Sequence, residues 1–319
     1  MSAPATTLAL TRNLLTGYEW GPAEVRDLLH LAASIKGRPK RYRTALAGRF
    51  LALIFEKPSL RTRVTFEAGI ASLGAACVFL DHTSSPLGKR ESVPDVARNL
   101  ERWVRGIIAR VYAQRTLDEL AENAGIPVIN ALSDRFHPCQ ALSDFFTLEE
   151  RFGELRGLEL AYVGDGNNVC HSLLSVAARV GACIRVATPA VYEPDPDVVA
   201  EANRMARETG AKIAITRSPE EAVSGAQAVY TDVWASMGEE TESAAREAAF
   251  RGYQVNERLF SHAAPDAIFM HCLPAHRGLE VTEGVIDSPR SVVFDQAENR
   301  LHVQKAILVT LFGQGEHHA

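Results

Sequence analysis

Short apolar runs alternate with stretches of helical periodicity through nearly the whole chain, and few architectures accept such a pattern. "FLALIF" (50–55), "AACVFL" (75–80), "GIIARVY" (106–112) and "IPVIN" (126–130) have the length and the β-branched or aromatic content of strands. Between them Phe66, Ile70 and Leu73, closed by Gly74, recur at helical spacing, as do Val93, Val96, Leu100 and Trp103. Val25, Leu28, Leu29, Ala32 and Ile35 form an earlier stripe that ends at Gly37. A second series follows residue 155: "LELAYVG" (158–164), "CIRVATP" (183–189), "KIAIT" (212–216), "AVYTDVW" (228–234), "AIFMHCL" (267–273) and "SVVFD" (291–295). Alternation of this kind implies mostly parallel sheets with helices on both faces, and two series imply two α/β lobes. "HPCQALSDFFTLEERFG" (137–153) reads as a helix joining the lobes, and "AENRLHVQKAILVTLFG" (297–313) as a closing helix. In open sheets of this class ligands bind beyond the carboxyl ends of strands, so the chemistry is expected at strand-to-helix corners.

The length of 319 residues suits one large domain or two of ordinary size, each able to bury its own core. A net charge of -5 carries no footprint for nucleic acid or an anionic membrane surface, although a local basic site for a small anion is compatible with it. Five scattered cysteines without a C-x-x-C pair suggest neither a disulfide framework nor a thiolate zinc site. There is no basic leader followed by an apolar run, and no uninterrupted apolar stretch of ~18 residues. These features lead to the expectation of a reduced, cytoplasmic protein.

At the first corner, "EKPSLRTRVTFEAG" (56–69) gathers Ser59, Arg61, Thr62 and Arg63 where a helix should begin. Helix N-termini present free N–H groups and partial positive charge, and the hydroxyls and guanidinium add donors, so the stretch suits phosphate or carboxylate. Its bland reading is an N-cap with solvated arginines. At the second, "VGDGNNVCHSL" (163–173) invites a dinucleotide reading, but Val169 stands where the third glycine is needed. Asn167 and Asn168 read either as polar hands for a zwitterion or as caps. "TDVWASMGEE" (231–240) ends a strand at Asp232, a partner for an ammonium group or a turn cap. "MHCLPAHRG" (270–278) puts Cys272 after a buried-looking strand, where a lone cysteine is also a small hydrophobe and His271 also a core histidine. His137, before Pro138, must leave the helical region, with Gln140 one turn into the helix. Arg110 ends an otherwise apolar strand, and a buried arginine needs an anion or several acceptors.

Taken together, "FEKPSLRTRVTFEAG", "ARVY", "HPCQALSD", "GDGNN", "DVWASMG", "HCLPAH" and "FDQAENRLH" resemble, in order and through nearly the whole chain, the ornithine branch of the aspartate/ornithine carbamoyltransferase family. The resemblance implies an N-terminal carbamoyl-phosphate domain (1–134, completed by the last helix, 299–319). It implies an ornithine domain over 135–298, entered through helix 137–153. Ser59, Leu60, Arg61 and Thr62 would hold the phosphate, and Arg110, His137, Gln140 and Arg300 would reach the carbamoyl phosphate. Asn168, Asp232, Ser236 and Met237 match ornithine-binding positions. Cys272 and Leu273 match the catalytic segment, with the Leu273 backbone facing the carbamoyl nitrogen.

The implied reaction is attack of the ornithine δ-amine on the carbamoyl carbon, giving citrulline and phosphate without metal, cofactor or covalent intermediate. Asp232 and Cys272 would position and deprotonate the amine, while Arg110 and His137 stabilise the developing oxyanion. The family also implies a cytoplasmic homotrimer, or a multiple of trimers, in arginine biosynthesis. Two positions depart from the common pattern: Leu60 replaces a threonine, and Pro86, in "HTSSPLGKRES" (82–92), replaces a glutamine of a loop that covers a neighbouring subunit's substrate in related enzymes. The competing readings are a sister transferase acting on N-acetyl- or N-succinyl-ornithine, a nicotinamide-dependent oxidoreductase resting on "GDGNN", and a non-catalytic binding protein. The intact Arg61, His137, Asp232 and Cys272 argue against the last.

Overall fold

A computed structural model describes residues 13–235 and 243–313. The first lobe is a four-stranded parallel sheet in the order β2-β1-β3-β4, formed by β1 (Phe50–Phe55), β2 (Ala76–Asp81), β3 (Ile107–Arg110) and β4 (Val128–Leu132). The second is five-stranded and parallel, in the order β7-β6-β5-β8-β9, from β5 (Glu159–Val163), β6 (Cys183–Ala187), β7 (Lys212–Thr216), β8 (Ala228–Thr231) and β9 (Ile268–His271). In each sheet the winding reverses once, between β1 and β3 and between β5 and β8. Such switch points open a crevice at the strands' carboxyl ends.

The helices follow local signals. Proline at the first turn and a side-chain cap start α3 (Val93–Trp103) and α7 (Pro196–Thr209), while Ser59 caps α2 (Leu60–Ser72) and Asn167 caps α6 (Asn168–Val180). Two helices tie the lobes together. α5 (Pro138–Phe152) packs on β4 and α6, and α12 (Val293–Phe312) packs on α5, α2, β9 and α1 (Pro22–Gly37). The main apolar core runs through both lobes, from Leu51 and Phe55 past Phe145 and Phe146 to Leu160 and Tyr162.

Two expectations change. Only Ser291 of "SVVFD" pairs with β9, through a single bridge to Phe269, and helix α12 starts at Val293, before the expected 297. Trp103 is not on the buried face of α3 but 70% exposed. Several strands also end earlier than their apolar runs: β8 stops before Asp232 and β9 before Cys272, which frees both residues to turn away from the ladder. Among the described residues, no helix is long and apolar enough to cross a membrane.

Candidate active site

A cavity of about 340 Å³ opens where the two switch points meet. The first lobe lines it with residues 57–62 and Arg110, the start of α5 with His137 and Gln140, and α12 with Arg300. The second lobe supplies Asn168, Val169, Asp232, Val233 and residues 272–274.

One wall is built for an anion. The Ser59 hydroxyl accepts the Thr62 N–H at 3.2 Å, which sets the first turn of α2 against the cavity with its unpaired N–H groups. Leu60 is 74% exposed, so leucine at this position costs no core packing. Arg300 is buried; one η-nitrogen donates to the Thr62 hydroxyl at 3.1 Å, the other to Gln140 Oε1, and its Nε has no protein partner. Arg110 lies at the end of β3, in register with Phe55 of β1. Burial, then Arg300 and Arg61, pull its guanidinium down to about 10, and burial likewise lowers Arg300. Cations crowded at low dielectric are costly unless an anion joins them. The His137 backbone leaves the helical region at φ −137°, and its N–H donates to Ser172 Oγ at 2.7 Å. Burial, then Arg300 and Arg110, hold its imidazole well below the ordinary range, so the ring is neutral near pH 7.

The opposite wall suits an amine. Asp232, just past β8, accepts from Asn167 Nδ2 on one carboxylate oxygen (2.9 Å), and from the Val233 N–H (2.9 Å) and Cys272 Sγ (2.9 Å) on the other. Burial, reinforced by Asp232, pushes the Cys272 thiol well above its usual value. Cys272 is therefore a thiol that donates to Asp232, and the free lone pairs for an incoming proton are on the carboxylate. Asn168 lines the cavity and donates to the Ser133 carbonyl at 2.6 Å, while Asn167 caps α6 and orients Asp232. Leu273 has φ 58°, a left-handed conformation costing about 1–3 kcal/mol in a non-glycine residue. Its N–H donates to His271 Nδ1 at 2.8 Å, which leaves its carbonyl as the polar group available to a ligand and puts the ring proton on Nε2, 3.2 Å from the buried Glu280. Ser236 and Met237 lie outside the described residues.

Asp232, His271 and Cys272 also bring possible metal-ligating atoms within 4.8 Å of one another, but each of the three already has a protein partner. Gly166 of "GDGNN" has a packing reason that needs no nucleotide: a Cβ there would sit 2.3 Å from the Pro194 nitrogen. Loop 82–92, with Pro86, contributes nothing to this cavity among the described residues; Leu87 N–H anchors it to Glu56 at 2.8 Å. Sequence reasoning missed Lys57, Val169 and Val233 in the lining, and it missed the buried Asp144, which binds Gln140 Nε2 at 2.8 Å. Asp144 follows Gln140 by four residues, the helical spacing that places two side chains on one face.

Comparison with known proteins gives a consistent picture. The family model for the carbamoyl-P binding domain of aspartate/ornithine carbamoyltransferase matches residues 12–150, and that for the Asp/Orn binding domain matches residues 156–311. A Thermus thermophilus protein named ornithine carbamoyltransferase is 53% identical over 305 residues, covering 95% of this chain and 98% of its own. A Pyrococcus horikoshii protein of the same name is 49% identical over 307 residues, covering 95% and 96%. The solved structure of ornithine carbamoyltransferase from Pyrococcus furiosus superposes with a TM-score of 0.91 at 48% identity, over 95% of this chain and 97% of that one.

Proposed function

This chain belongs to the aspartate/ornithine carbamoyltransferase family, and from that membership we propose how it carries out the ornithine reaction: transfer of the carbamoyl group of carbamoyl phosphate to the δ-amine of L-ornithine, giving L-citrulline and phosphate. The observation that carries the reading is one cavity shared by two opposite chemistries. Arg61, Arg110 and Arg300 line it with cations, and Asp232 with Cys272 lines it with an acceptor for an amine.

We assign residues 1–134, completed by the C-terminal segment 299–319, to carbamoyl phosphate, and 135–298, entered through α5, to ornithine. Ser59, Leu60 and Thr62 offer the phosphate backbone N–H groups and hydroxyls, and Arg61 offers it a guanidinium fork. Gln140 and the Leu273 carbonyl accept from the carbamoyl NH₂, and Arg110 with neutral His137 faces the carbonyl oxygen as charge develops. Asn168, Ser236 and Met237 hold the ornithine backbone. The δ-ammonium, near pKa ~10 like a lysine, must lose a proton to attack. Asp232 orients it and accepts that proton, while the Cys272 thiol fixes the carboxylate by hydrogen bond. Nitrogen then bonds to carbon as the C–O bond to phosphate breaks, and phosphate departs with the bonding pair into the Arg61 cradle.

We place the protein in the cytoplasm, in arginine biosynthesis, and as a homotrimer or a multiple of trimers. The Pyrococcus furiosus relative is named as anabolic. Edge strand β2 exposes Val78, and Phe50, Val64 and Trp103 are also exposed, an apolar set that suits burial against a second copy. Light scattering after gel filtration gives the mass directly; a monomer would overturn this part. The function itself is tested by citrulline formation from carbamoyl phosphate and ornithine, with kcat/KM compared for ornithine, N-acetyl-ornithine and N-succinyl-ornithine. Acylation removes the α-ammonium and adds bulk, so a large preference for ornithine is expected. An acylated amine that matches ornithine would reassign the substrate and direct attention to Pro86.

A further inference from the structure

Four residues past Gln140, Asp144 is 1% exposed and takes three donors from three elements. One oxygen accepts Gln140 Nε2 at 2.8 Å and Gln296 Nε2 of α12 at 2.7 Å, and the other accepts the Tyr230 hydroxyl of β8 at 3.1 Å. Each donor leads on to the cavity. Gln140 passes through its Oε1 to Arg300, and Arg300 passes to Thr62. Gln296 Oε1 accepts the His271 backbone N–H at 3.0 Å, one residue before Cys272. Tyr230 lies two residues before Asp232.

We propose that Asp144 is a positioning residue of the transferase. Its carboxylate, held between both lobes, fixes the Gln140 amide and through it the Arg300 guanidinium, and through Gln296 the backbone that enters Cys272. The inference rests on the carbamoyl-transfer reading of the cavity. Hydrogen-bond polarity makes the chain directional. A carboxylate only accepts and a guanidinium only donates, so Gln140 must turn its NH₂ to Asp144 and its oxygen to Arg300. Protonated Asp144 brings a donor into a group of three donors, and the orientation of Gln140 is no longer imposed. The groups facing Asp144 are Gln140 on its own helix, Gln296 and Arg300 from α12, Tyr230 from β8, and Cys272 beyond β9. Burial raises the carboxyl to about 7, while the hydrogen bonds from Gln296, Gln140 and Tyr230, and the Arg300 charge, pull it back. The ionised form is therefore lost as pH falls through about 7.

The test is calorimetric binding of carbamoyl phosphate alone, so that the ornithine amine does not titrate, over a pH range spanning 7, in wild type, Asp144→Asn and Tyr230→Phe. Wild-type affinity is expected to fall as pH drops through about 7. Asp144→Asn should bind about tenfold more weakly at high pH and lose that step, because a hydrogen-bonded charge has gone. Tyr230→Phe removes one stabilising donor, so its step moves to higher pH while binding on the alkaline side is kept. Wild-type affinity and pH profile in Asp144→Asn, or an unshifted step in Tyr230→Phe, overturns the proposal; if Asp144→Asn does not fold, the Tyr230→Phe profile decides alone. A wild-type protein that neither binds carbamoyl phosphate nor forms citrulline would instead remove the underlying functional reading.

Discussion

At the residue scale, burial and crowding shift the site's groups yet leave Arg110 a cation, His137 a neutral ring and Cys272 a thiol near pH 7. Arg110 stays charged near pH 7 although burial and two other arginines pull it to about 10, so it remains a cation where oxyanion charge should form. Removing one such donor costs on the order of 100-fold in turnover, so Arg61→Ala and Arg110→Ala should each lose nearly all activity with circular dichroism unchanged. Near wild-type turnover in both at saturating substrate would sink the phosphate-cradle reading. Cys272 makes the opposite case. A raised thiol pKa means less thiolate at any given pH, so iodoacetamide should alkylate Cys272 in the native protein at pH 8 far more slowly than a free thiol. Rapid labelling confirmed by peptide mapping would show that the thiol is ionised and available as a base. His137 contributes to stability through its own linkage. Its folded pKa is depressed, so below about pH 6.5 the unfolded chain binds a proton that the native ring refuses, and this contribution to stability fades as pH falls.

At the scale of elements, the corners carry the chemistry because each strand stops where its functional residue begins. The apolar run "AVYTDVW" does not reveal that pairing ends at Thr231, since periodicity locates an apolar run but not the point where its ladder hydrogen bonds cease. The two α/β series, helix α5 and the helix start capped by Ser59 were legible from spacing and capping residues alone. Asp144 was not, because its role depends on Tyr230 and Gln296 arriving from elements far along the chain. The strand expected at "SVVFD" failed for a related reason: a β-branched run at a helix start is overruled when the segment packs as the first turn of α12. The glycine of "GDGNN" supplies a test at this scale. A Cβ on Gly166 would lie 2.3 Å from Pro194 N and 2.5 Å from the Glu193 carbonyl carbon, backbone atoms that cannot swing aside. Gly166→Ala should destabilise the second lobe by about 1–3 kcal/mol, the usual range for overpacking, and displace Asn167 from Asp232. Denaturant melts showing unchanged stability would mean that the 193–194 turn yields freely, and that the glycine is there for another reason.

At the scale of the whole molecule, the two lobes divide the charges, and the division sets an order of events. The anion wall belongs to the first lobe with α12, the Asp232 wall to the second, and both face one cavity. Before an anion enters, three guanidiniums line the space in which a δ-ammonium must sit. Like charges at low dielectric repel, so ornithine meets an unfavourable field until a phosphate neutralises part of it. Carbamoyl phosphate would also give the lobes a shared ligand: Thr62 of α2 and Arg300 of α12 face its phosphate end, and the Leu273 carbonyl of the second lobe faces its NH₂. On the proposed mechanism, closure around it would bring Asp232 towards the carbamoyl carbon and exclude water. Carbamoyl phosphate should therefore bind first and raise the affinity for ornithine. Coupling between two such sites is typically about 1–3 kcal/mol, or about 5–150-fold, and it must be reciprocal. Inorganic phosphate occupies the same cradle without reacting, so ornithine titrations with and without saturating phosphate measure the coupling directly. Ornithine is expected to bind at least about fivefold more tightly with phosphate present, and phosphate to gain by the same factor in the converse titration. Equal ornithine affinity in both titrations would mean that the two walls act independently and that neither substrate prepares the site for the other.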